Sequence, residues 1–97
     1  MHRKVPNGYP TLLTAAQMRA ARALLGIDQR QLAELAAVSL PTIQRMEASD
    51  GNVRGVVDTL VKVVEALDRA GVELIGDNAV SSGGGRGVRL KQPKSAP

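Results

Sequence analysis

Cysteine is absent from this chain, and histidine occurs once, as His2. The first absence excludes disulfides, thiolate metal sites and thiol nucleophiles; the second leaves a Ser-His-Asp triad or an imidazole-bound metal with nothing to be built from. The carboxylates show neither paired nor metal-ligand spacing, so no enzymatic activity, metal or cofactor is expected. Tryptophan and phenylalanine are missing too, and Tyr9 is the only aromatic residue. A core must then come from Leu, Val, Ile, Met and Ala. In 97 residues such a core stabilises a monomer only marginally, which makes a partner subunit expected. No apolar run reaches the length of a membrane span, and the basic residues near the start precede no apolar signal segment. No membrane contact is expected, and the location is read as cytoplasmic.

What is present is unevenly placed. The net charge is +4, but residues 1–55 carry +3, residues 56–80 carry −3, and every charge in the last seventeen residues is basic. A positive first half suits a polyanionic partner.

Three helix starts in that half repeat one pattern of N-cap, glutamine or proline in the first turn, and flanking apolar pair. Thr14 caps with Gln17 at N3 and Leu13/Met18 as the staple; Asp28 caps with Gln31 and Ile27/Leu32; Ser39 caps with Pro41 in the first turn and Val38/Ile43. These predict helices over about 15–25, 29–36 and 40–48, with Met18, Ala21, Leu25, Leu32, Ala33, Ala36, Ile43 and Met46 inward. Gly26 suits a left-handed helix end. A fourth helix, over about 56–70, is read from Val57, Leu60, Val61, Val64 and Leu67, with a poorly signalled start. Beyond Gly71 the pattern alternates, in Val72 to Ile75 and again in Val88 to Lys91, predicting two strands across a Gly/Ser-rich connection. Gly83 to Gly87 reads as a loop and not a phosphate cradle, because no Gly-Lys-Ser/Thr follows. An isolated hairpin is marginal in water, so these strands are expected to pair with another copy, with Val72, Leu74, Val88 and Leu90 as dimerising residues. The organisation expected is a disordered tail over 1–10, a helical domain over 11–71, a β extension over 72–91 and a disordered end over 92–97.

Two short helices joined across only Ala37 to Ser39 match the helix-turn-helix unit, whose second helix lies in the DNA major groove. Gln29 to Glu47 fits it: Leu32, Ala36, Val38, Ile43 and Met46 are apolar, Ala33 is small where helices cross, and the interleaved side chains are polar. With Met18-Arg19-x-x-Arg22-x-x-x-Gly26-Ile27-x-Gln29-x-x-Leu32-Ala33 and Val38-Ser39-x-x-Thr42-Ile43-x-x-Met46-Glu47, the chain resembles the lambda-repressor-like, Cro/C1-type (XRE) family of transcription regulators over about residues 14–71. The tail resembles the ending of very short members of that family. The fold class expected is mainly α, with about four helices and a short C-terminal β-hairpin or dimerising strands.

The resemblance implies base readout by Thr42, Gln44 and Arg45, phosphate contacts by Gln29, Arg30, Ser39, Asn52 and Arg54, and an ion pair between Arg22 and Glu47 tying helix 1 to helix 3. Two positions depart from the family. Ala37 stands where relatives commonly have glycine in a left-handed turn, at a strain of about 1 kcal/mol if the backbone is so bent. Leu40 and Pro41 open helix 3 where relatives often present polar base-reading side chains; they can touch a thymine methyl but form no bidentate hydrogen bonds. The function expected is a homodimeric DNA-binding repressor, associated with the nucleoid when bound, since the chain has no room for an activating effector domain. Two rivals use the same domain: an antitoxin wrapping a protein partner with its tail, and a protein-binding adaptor without DNA affinity.

Overall fold

The computed structural model describes residues 13–51, 53, 55–76 and 84–91. It is mainly helical: α1 (Ala15–Leu25), α2 (Gln29–Ala36), α3 (Leu40–Glu47) and α4 (Val57–Arg69) precede β1 (Val72–Ile75) and β2 (Gly87–Leu90). The expected tails, Asn52, Arg54 and most of the Gly/Ser-rich connection lie outside the described residues. Among the described residues no helix is long and apolar enough to cross a membrane.

The caps form as their residue types dictate. Thr14 and Asp28 each accept from the N3 backbone N–H while Gln17 and Gln31 accept the cap N–H in return, and Ser39 caps α3 through Thr42 N–H. Helices α1 and α2 end alike. At Gly26 (φ 69°, ψ 34°) and Ala37 (φ 58°, ψ 44°) the backbone turns left-handed, and the next residue donates back five positions, Ile27 to Arg22 O and Val38 to Ala33 O. Ala37 therefore adopts, with a Cβ, a conformation that favours glycine.

Leu13, Met18, Leu32, Ile43, Val63, Leu67 and Val72 are fully buried at the centre of the core. Two backbone bonds clasp the segment after α3 to the start of α1: Ala15 N donates to Gly51 O and Val53 N to Leu13 O, each at 2.9 Å, and Val53 is buried. Helix α4 differs from expectation in its buried face. Leu60, Val63, Ala66 and Leu67 point inward, while Val57 is 47% exposed and Val61 and Val64 only half-buried. No side chain caps its start at Val56.

The strands pair with each other, antiparallel, in the register Val72↔Leu90, Glu73↔Arg89, Leu74↔Val88 and Ile75↔Gly87. Three of the four side chains expected at a dimer contact thereby pack in or against this chain's own core. Val72 is a core residue at 1% exposure, and Leu74 and Val88 are half-buried against that core, which leaves Leu90 as the exposed member. The hairpin is sealed to α1 by Gln17, whose Nε2 donates to Ile75 O (3.1 Å) and Gly87 O (3.0 Å) while its Oε1 accepts from Thr14 N–H. On the other face Arg89 pairs with Glu73, and Lys91 with Asp68 of α4.

Candidate nucleic-acid interface

Helix α3 divides its side chains sharply. Ile43, Met46 and Glu47 are buried; Pro41, Gln44 and Arg45 are exposed; Leu40 and Thr42 are half-buried. A carboxylate among the buried residues needs strong partners, since burying an unpaired charge is costly. Glu47 has them. Its side chain is 4% exposed, and its two oxygens accept from Arg22 Nε and Nη2 at 2.7 Å each and from Gln29 Nε2 at 3.1 Å. Arg22 also reaches Ile27 O, and Arg19 Nη1 donates to the Glu47 carbonyl at 2.7 Å. The end of α3 is thus held by α1 from two sides and by the start of α2.

The bidentate geometry, opposed by burial and aided by the charges of Glu47 and Asp28, raises the Arg22 pKa above its ordinary value. With the folded value raised, the stabilisation is complete below the ordinary arginine range and is lost only above it, so Arg22 remains a cation at every pH of practical interest.

The consequence for the surface is one of sign. Helix α3 contains a single acid, and that acid faces inward, so its solvent side presents Gln44 and Arg45 without a carboxylate. Arg30, in the first turn of α2, is exposed, as is Ser39 in the connecting turn. Gln29, by contrast, is half-buried with its amide spent on Glu47, which makes it a positioning residue for α3 in addition to any contact at the start of α2. The Ser39 and Thr42 hydroxyls are bonded to one another at 2.8 Å. Asn52 and Arg54 fall outside the described residues.

The sequence pattern did not reveal Arg19, Gln29 or Gln17 as linking residues. Their partners lie 28, 18 and 58 to 70 positions away, and only the assembled packing brings them within reach. Elsewhere, a cleft of about 210 Å³ opens between α1 and β2 beside Thr14, Ala20 and Val88; its carboxamide, that of Gln17, is already fully engaged. No cluster of three His, Cys, Asp or Glu able to hold a metal occurs among the described residues. No protein-family model matches this chain, and no curated protein is similar to it.

Proposed function

We propose that this chain is a sequence-specific DNA-binding regulator of transcription, of the lambda-repressor-like, Cro/C1-type kind, and that it acts as a homodimeric repressor with α3 in the major groove of a pseudo-palindromic operator. The observation that carries this reading is the sign of the α3 surface: Gln44 and Arg45 face solvent while the helix's only carboxylate is folded inward onto Arg22. A helix entering the groove between two rows of phosphates gains from an arginine and loses from a carboxylate. The three-residue turn from Ala37 to Ser39 supports the same reading, because it presents α3 directly after α2. In this arrangement Arg45 and Gln44 read bases, Arg30 and Ser39 contact phosphate, and Gln29 holds α3 at its angle through Glu47. Leu90, 48% exposed on β2, supplies the apolar contact for a second copy, since Val72 serves the core.

Capture of sheared genomic DNA by the full-length chain, followed by sequencing and by titration of the enriched fragments over a range of salt, tests the proposal. A shared inverted motif, bound with an affinity that falls steeply with salt, is the expected result. Retention of no duplex at any salt overturns it and returns the fold to a protein-binding role.

A further inference from the structure

We infer that the first turn of α3, where the Leu40 side chain and the Pro41 ring stand beside a mutually bonded Ser39–Thr42 hydroxyl pair, selects DNA by the C5-methyl group of a pyrimidine. The inference rests on the DNA-binding reading above and names what that surface recognises.

The free polar groups of this turn are few. Pro41 has no N–H to offer. Ser39 Oγ accepts from Thr42 N–H at 3.2 Å and shares a hydrogen bond with Thr42 Oγ1 at 2.8 Å, so both hydroxyls are turned to each other. Thr42 is consequently less suited to hydrogen-bond a base than its place in the sequence pattern implies. One hydroxyl hydrogen of the pair is left over, which suits a phosphate at Ser39; the rest of what the turn offers a ligand is the hydrocarbon of the half-exposed Leu40 and the exposed Pro41 ring.

Hydrocarbon in the major groove meets one matching feature, the methyl group at C5 of thymine. The other edge groups, N7, O6 and O4 acceptors and N6 or N4 amino donors, lose water against it without a replacement partner. The turn therefore discriminates twice, favouring a methyl group and disfavouring a bare polar edge. Cytosine methylated at C5 carries the same group at the same ring position, so a methylated cytosine is favoured over an unmethylated one at this step. Gln44 and Arg45, further along α3, keep the hydrogen-bonding part of recognition.

The test begins with selection of a preferred duplex by the full-length chain from a random library. Each thymine of that duplex is then replaced in turn by uracil, which removes the methyl group and leaves every hydrogen-bonding group in place. At one step per half-site the Kd is expected to rise about fourfold, the fold-change that ~0.8 kcal/mol for one buried methyl gives. Leu40→Ala and Pro41→Ala should reduce that discrimination, and 5-methylcytosine placed at that step should bind more tightly than cytosine. Uracil tolerated within twofold at every position, or a selected half-site without thymine, overturns the inference and leaves DNA binding standing. An undiminished uracil penalty in both variants assigns the methyl group to another residue and overturns it equally. Failure to select any duplex overturns the DNA-binding reading along with it.

Discussion

Ala37→Gly should stabilise this protein. The residue ends α2 at φ 58° and ψ 44°, where a Cβ crowds the backbone at a cost of about 1–2 kcal/mol. Ala37 is exposed, so deleting its methyl group removes little packing. Against the relief stands the greater freedom of glycine in the unfolded chain, about 0.4–1 kcal/mol. The net gain is about 0.5–1 kcal/mol. Gly26 supplies the control, because it ends α1 in the same conformation, with the same donation from the following residue back five positions. A Cβ built on Gly26 meets nothing within 4 Å, so Gly26→Ala incurs backbone strain alone and should destabilise by a similar amount. Urea unfolding followed by far-ultraviolet circular dichroism, at one fixed protein concentration, measures both. With a slope near 1 kcal/mol/M for so small a domain, the midpoints should move about 0.5–1 M in opposite directions. Midpoints that move together, or a lower one for Ala37→Gly, would refute the account of the turn.

Glu47→Ala leaves the half-buried Arg22 without its partner and should cost about 1–3 kcal/mol in thermal or chemical melts, between an exposed and a fully buried pair; a melting temperature near that of the parent chain would mean the pair contributes as little as an exposed one. Arg45→Ala should lose about 1–3 kcal/mol on the preferred duplex and relax the choice at one base pair per half-site, whereas Gln29→Ala should weaken all sequences alike and also lower stability by about 0.5–1.5 kcal/mol through Glu47; titration of both against single-base changes at fixed salt separates them, and an intact base preference in Arg45→Ala would make Arg45 a phosphate contact. Leu90→Glu should convert a dimer to a monomer in light scattering without lowering the melting temperature of the monomer, and an unchanged mass would place the interface elsewhere. Gln17→Ala withdraws the donor from two strand carbonyls and should raise hydrogen exchange throughout β1 and β2 while leaving α3 protected; unchanged strand exchange would contradict the role of the amide.

The first three helices were legible in the sequence because their ends are written locally. A cap, its partner three residues on and an apolar staple act within one turn, and α1 and α2 have the expected bounds while α3 differs by one residue at its end. Helix α4 lacked that local writing at its start, and its valines and leucines form two overlapping stripes. Val57, Val61 and Val64 compete with Leu60, Val63 and Leu67 at equal hydrophobicity, and contacts with α2 and β1 choose between them. The same holds for the strands. Alternation located them, but whether Val72 faces a second copy or its own core depends on where α1 and α4 lie. At the candidate interface, the family resemblance singled out Arg45, Gln44, Arg22 and Glu47, whereas the second attachment of Gln29 depends on the angle at which α2 and α3 meet.

The double engagement of Gln17 also orders events during synthesis. Its bond to Thr14 is available as soon as α1 leaves the ribosome, but its partners Ile75 and Gly87 are made 58 and 70 residues later. At 5–20 residues per second that is roughly 3–14 s, during which water must serve the amide nitrogen. The Arg22–Glu47 pair spans only 25 residues, so both of its members are made well before. All four helices are thus made before the last partner of Gln17, and the hairpin is the final element able to close onto α1.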